Sequence, residues 1–96
     1  MPLAFEWDLR KAAENLAKHG VPFQEALTAF ADPMSIEISD PDSLGEERFV
    51  LIGRSEAGRL LVVVHTERGD RIRIISARRA TRRERRDYEP WEGPEP

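Results

Sequence analysis

Between His65 and Thr81 the chain gathers one imidazole, two carboxylates and five guanidinium groups within 17 residues, in the order His65-Thr66-Glu67-Arg68-Gly69-Asp70-Arg71-Ile72-Arg73-Ile74-Ile75-Ser76-Ala77-Arg78-Arg79-Ala80-Thr81. These groups suit one reaction on RNA. When a 2′-hydroxyl attacks its neighbouring phosphorus, the reaction needs a proton acceptor, positive charge beside the phosphoryl oxygens and a proton source for the leaving 5′-oxygen. It does not need a metal. His65 or Glu67 can take the proton, Arg68, Arg73, Arg78 and Arg79 can hold phosphate, and Tyr88 can donate or position. Arginine fits the phosphate role because its planar fork bonds two oxygens and keeps its charge. DNA lacks the hydroxyl on which the route depends.

Each residue also has a plainer reading. His65 follows three valines and can be a satisfied structural histidine, and Glu67 can pair with Arg68 or an adjacent strand. Arg82, Arg83, Arg85 and Arg86 can form a solvated or partner-binding face, part-neutralised by Glu84 and Asp87. His19 reads as a helix-end residue, and Phe5, Trp7, Phe23 and Phe30 as core rather than base-stacking platforms. The two histidines stand 46 residues apart with no ligand cluster around either in the sequence, so no metal site is expected. With no glycine-rich phosphate loop, no cofactor is expected either.

The elements that must position these groups follow from periodicity. Phe5-Glu6-Trp7 suits a short edge strand or an ordered lead-in. Asp8 caps a helix over Leu9 to His19, with Leu9, Ala12, Ala13, Leu16 and Ala17 on one apolar side and Gly20 as the left-handed residue that ends it. A second helix starts near Pro22, lines up Phe23, Ala26, Leu27 and Phe30, and stops at Asp32-Pro33. Strands are expected over Met34–Ile38, Arg48–Arg54, Arg59–Arg68 and Arg71–Arg79, with a polar loop over Asp40–Gly45. The run Leu60-Leu61-Val62-Val63-Val64 marks the third of these as central. Thr81 and Glu84 form a Thr-x-x-Glu capping box for a short helix over Arg82 to Tyr88.

A two-residue turn at Gly69-Asp70 sets Arg68 against Arg71, Glu67 against Ile72, Thr66 against Arg73 and His65 against Ile74. The period of two then places His65 and Glu67 on one face and Thr66, Arg68, Arg73, Ile75 and Ala77 on the other, with Arg73 and Arg78 open to delivery on opposite faces. A one-residue bulge changes that division.

Ninety-six residues allow one small domain, expected over 1–88, with a flexible acidic tail over 89–96. The absence of cysteine excludes disulfides and thiolate metal sites. No apolar run approaches a membrane span, and Met1-Pro2-Leu3-Ala4 lacks the regions of a signal peptide, so a soluble, cytoplasmic protein is expected. The net charge of −3 conceals a division: residues 1–64 carry six basic and eleven acidic residues, and 65–88 carry nine basic and four acidic. A local basic surface of this kind attracts a polyanion while the acidic remainder limits indiscriminate attachment.

Taken together, Phe5-Glu6-Trp7-Asp8, Lys11, Asn15, Lys18-His19-Gly20-Val21, Phe23, Glu25-Ala26, Phe30-x-Asp32, Glu47-Arg48-Phe49, Ile52-Gly53, His65-Thr66-Glu67-Arg68, the run from Ile72 to Thr81, Glu84-Arg85 and Tyr88 resemble the BrnT family of type II toxin–antitoxin ribonucleases. The resemblance spans residues 5–88. It implies an α+β, RelE-like fold with two N-terminal helices, a four-stranded and mainly antiparallel sheet and a short C-terminal helix. It also implies an endoribonuclease toxin that inhibits translation and growth, held by a BrnA-like antitoxin with a ribbon-helix-helix domain. Operator DNA would be met only through a higher-order toxin–antitoxin assembly. His65, Glu67, Arg73 and Arg78 are then the catalytic candidates, and Arg68, Arg79, Arg82 and Tyr88 the RNA-binding ones. The alternatives are a noncatalytic protein whose basic C-terminal portion binds a protein partner or RNA, and a weaker one in which the chain itself binds DNA.

Overall fold

The computed structural model describes residues 4–42 and 45–89. Ser43 and Leu44 of the expected polar loop, and the expected tail apart from Glu89, lie outside the described residues. The elements run β1 (Ala4–Glu6), α1 (Leu9–His19), α2 (Phe23–Ala26), a 3₁₀ helix (Leu27–Ala31), β2 (Ile36–Ser39), β3 (Phe49–Arg54), β4 (Leu60–Arg68), β5 (Arg71–Arg79) and α3 (Arg82–Tyr88).

The sheet has five strands, not the expected four, in the order β1-β5-β4-β3-β2. The additional strand is the Phe5 segment, which pairs with β5 in parallel and makes an otherwise antiparallel sheet mixed. β4 is central, as its apolar run requires.

Two layers cover the sheet. On one face Leu61, Val63, Ile74 and Ala77 pack with Val21, Phe23 and Ala26, joined by Phe5, Trp7, Ala12, Leu27 and Phe30. On the other, Ile52, Leu60 and Val62 pack under Tyr88 of α3. The second helix is α-helical for only four residues and then tightens to 3₁₀. That tight segment lies close against β3 because position 53 is glycine: a Cβ there would stand 2.8 Å from the Ala29 carbonyl oxygen and 3.2 Å from the Ser35 Cβ.

Helix α1 has the expected limits, Asp8 cap and left-handed Gly20 (φ 71°), but a different buried side. Leu9 is 81% exposed and Leu16 49%, with Ala13 and Ala17 exposed beside them. Ala12 and the buried Asn15 face inward instead. The cause is backbone satisfaction. β1 covers β5 only from Arg71 to Arg73, leaving the later edge of β5 without a strand neighbour. Asn15 Nδ2 donates to the carbonyls of Ala77 (2.8 Å) and Val21 (3.0 Å), and Asn15 Oδ1 accepts from the Ala77 N–H (3.0 Å). A buried amide that meets both polar groups of one residue takes the place of a strand there.

The β4–β5 pairing near the turn matches the expected register, including His65 with Ile74 and Thr66 with Arg73. Beyond it the register slips by one between Val64 and His65, leaving Ile75 of β5 without a partner. Ala77 therefore opposes Val63 on the helix-covered face, correcting its expected placement with Arg73. Arg78 opposes Val62, so Arg73 and Arg78 share the α3 face of the sheet.

The approach at Gly53 gives a direct check. Gly53→Ala must push the 3₁₀ segment off β3, since the nearest atom is backbone. The expected loss is about 1–3 kcal/mol of stability, seen as a lowered melting temperature, and an unchanged melt would contradict the packing described.

Candidate functional site

At the hairpin end of the sheet, the helix-covered face carries an imidazole between two carboxylates. His65 has no exposed surface. Its ring lies edge-on to Phe30 (4.8 Å between centroids) and stacks on Phe49 (5.9 Å), its neighbour across β3–β4. Nδ1 stands 3.3 Å from the Val63 carbonyl and Nε2 3.1 Å from Glu37 Oε1. Glu67, two residues along β4, points the same way and is exposed. Donor atoms of Glu37, His65 and Glu67 all fall within 4.8 Å of one another.

Glu37 has almost no signal in the sequence. It lies 28 residues before His65, on a strand that reaches β4 only across β3. The alternation Ile36-Glu37-Ile38 was its one mark, since it turns Glu37 to the face opposite those two isoleucines.

The arginines are distributed differently. Arg68 and Arg71 are neighbours across the hairpin end on the α3 face, with Arg73 behind them. Arg68 pairs with Glu46 (3.4 Å), while Arg71 (3.3 Å) and Arg73 (3.5 Å) share Glu6. All are exposed or half-exposed, where such pairs contribute little and yield readily to another anion. Glu67 and Arg68 are consecutive, so the acidic and basic sets meet around one strand end rather than on one surface.

Arg78 has a stronger attachment. Its two terminal nitrogens bond both carboxylate oxygens of Glu84 at 2.8 and 2.7 Å, while Glu84 also accepts from the Thr81 N–H and Thr81 Oγ1 accepts from the Glu84 N–H. The expected capping box is thus doubled by a bidentate ion pair. The Arg78 guanidinium holds the Glu84 carboxyl down to about 2, against the opposing effect of burial.

Tyr88 is buried, and its hydroxyl donates to Asp32 Oδ2 at 2.5 Å, with the Arg54 guanidinium 5.6 Å from its ring centre. Burial foremost, then the Asp32 carboxylate, raises the phenol above its ordinary range. Burial pushes Asp32 upward too, but the hydrogen bonds from Tyr88 and the N–H groups of Arg54 and Met34 outweigh it and hold the carboxyl low. Arg78 and Tyr88 therefore fasten α3 to the sheet. Arg79 lies on the helix-covered face, where it adds to the field of Arg59 on Glu25. Arg82 is exposed on α3 and, with Arg83 and Arg86, makes no ion pair among the described residues.

A family model described as the ribonuclease toxin BrnT of type II toxin–antitoxin systems matches residues 7–84. The chain belongs to the BrnT family. Membership of such a system carries with it a cognate antitoxin. Among solved structures, the ribonuclease toxin BrnT of Brucella abortus superposes with a TM-score of 0.58 at 24% identity, covering 84% of this chain and all of that one. At that identity the likeness speaks for the fold, an α+β arrangement with a mixed sheet consistent with the RelE-like expectation. No curated protein sequence matches this BrnT-family chain. None of its helices is long and apolar enough to cross a membrane, among the described residues.

The Glu84 attachment makes the C-terminal helix acid-sensitive. A carboxyl depressed from 4.5 to about 2 stabilises the fold fully above pH 4.5 and loses that contribution as pH falls toward 2. Glu84→Gln should lower the melting temperature near neutrality and bring the parent and variant melts together between pH 4.5 and 2. A constant gap across that window, read by circular dichroism, would mean the pair does not hold the helix.

Proposed function

We propose that this chain is the toxin of a type II toxin–antitoxin system and a metal-independent endoribonuclease that cuts cellular RNA by 2′-hydroxyl attack, inhibiting translation and growth. The observation that carries the reading is the convergence of His65, Glu67 and Glu37 at the hairpin end, in a chain of a ribonuclease-toxin family. Glu67 is the exposed group and takes the 2′-hydroxyl proton. His65 supplies the proton to the leaving 5′-oxygen, which requires the 40% exposed Glu37 side chain to give way to substrate. Arg68 and Arg73 meet the phosphate around the strand end, and Arg79 on the helix-covered face and Arg82 on α3 offer separate contacts to a longer RNA. Arg78 and Tyr88 enter through the helix they hold.

Arg82, Arg83 and Arg86, which make no ion pair among the described residues, favour a second use of α3 as the contact for an acidic protein partner. We take that partner to be a BrnA-like ribbon-helix-helix antitoxin, through which a larger assembly reaches operator DNA. If α3 does only this, the noncatalytic reading stands, with tight partner binding and no cut RNA.

Purified chain freed of partner should cleave single-stranded RNA in chelator and leave a 2′,3′-cyclic or 3′-phosphate end. Glu67→Gln should slow cleavage by about 10²- to 10⁴-fold with an unchanged circular dichroism spectrum and melt. A strict need for divalent metal, or full activity in the variant, would overturn the mechanism.

A further inference from the structure

His65 is caught between two acceptors. Nδ1 faces the Val63 carbonyl oxygen at 3.3 Å and Nε2 faces the Glu37 carboxylate at 3.1 Å. A neutral imidazole has one N–H, so it satisfies one of these contacts and turns a lone pair toward the other oxygen. Phe30 and Phe49 flank the ring, and it has no exposed surface through which water could relieve the conflict. With the proton on Nδ1, the Nε2 lone pair and the carboxylates of Glu37 and Glu67 converge on one small volume. Three electron-rich donors within 4.8 Å of one another suit a shared positive centre.

We propose that Glu37, His65 and Glu67 form a binding site for a divalent cation of the zinc type, and that filling it holds off RNA cleavage. When a cation is bound, the Val63 carbonyl is the outer contact that takes the Nδ1 proton and aims Nε2, the arrangement that orients metal-bound histidines. Bonds of about 2.0–2.2 Å to a tetrahedral zinc place neighbouring donor atoms roughly 3.3 Å apart. The Nε2 to Oε1 separation of 3.1 Å is already close to this, and the exposed Glu67 side chain needs only to swing inward from within 4.8 Å. One nitrogen with two carboxylates favours zinc over magnesium or calcium, which take oxygen sets. A fourth position is left for water.

The inhibitory part rests on the function proposed above, because a cation bound to Glu67 removes the group assigned to accept the 2′-hydroxyl proton. The binding part does not.

The test uses the whole chain, freed of partner and metal, titrated with zinc against a chromophoric chelator. One zinc per chain is expected, and Glu37→Gln and Glu67→Gln should each weaken binding by at least about tenfold. Both replace half- or fully exposed side chains, so the fold is kept, and His65 is left intact because its ring is wholly buried. RNA cleavage by the parent should fall as zinc fills the site and return with chelator. Substoichiometric binding, or binding unchanged in both variants, overturns the site. Stoichiometric, variant-sensitive binding by a chain that cuts no RNA at any zinc level supports the site and sinks the ribonuclease reading. Cleavage undiminished at saturation removes the inhibitory role.

Discussion

The extra residue in β5 decides which side chains can meet. Without the offset at Ile75, the two-residue alternation from the hairpin would carry Ala77 to the α3 face and Arg78 to the helix-covered one. The offset returns Ala77 to the core, where it sits with Val21, Phe23, Leu61 and Val63, and delivers Arg78 to Glu84. It also leaves the portion nearest the turn unaltered, so His65 and Glu67 remain on one face and Arg68 and Arg73 on the other. Core closure and the placement of polar groups thus depend on a single local irregularity.

Elsewhere in the chain, the strongest polar contacts anchor segments. Glu25 is held by Arg59, the main cause of its lowered carboxyl, and also accepts from Ser55. Asp32 gathers the Tyr88 hydroxyl and the Arg54 N–H, tying α3 to the segment after the 3₁₀ helix. These partners sit at least 22 residues apart, and each closes a loop that local hydrogen bonding could not. The hairpin end differs: its charges are exposed and loosely paired, so they can change partners without unfolding the chain.

Features fixed by neighbouring residues were legible in the sequence. The limits of α1, the Thr81–Glu84 box, the Gly69-Asp70 register and the helix over Arg82 to Tyr88 all rest on contacts spanning a few residues. What depended on distant partners was not. The apolar spacing of Leu9, Ala13, Leu16 and Ala17 pointed to the core, but Asn15 had to turn inward to meet Ala77, 62 residues away. The role of the Phe5 segment as a fifth strand needed β5 to accept it in parallel. Of the candidate site, His65 and Glu67 could be paired from the hairpin alone, whereas Glu37 arrives from another strand. Arg78 and Tyr88 carried the right chemistry for RNA, and nothing local revealed that Glu84 and Asp32 already engage them.

The amide of Asn15 has an effect on growth of the sheet. Because it meets the N–H and carbonyl of Ala77, and β1 blocks the neighbouring stretch, a foreign strand finds no free ladder on the β5 side at that point. Extension by another chain is left the outer borders of the two edge strands, β1, only three residues long, and β2, only four residues long and bearing Glu37 at its second position. The molecule therefore resists stacking into fibrils along β5 by a side chain, and at its two edge strands by brevity, helped on β2 by charge.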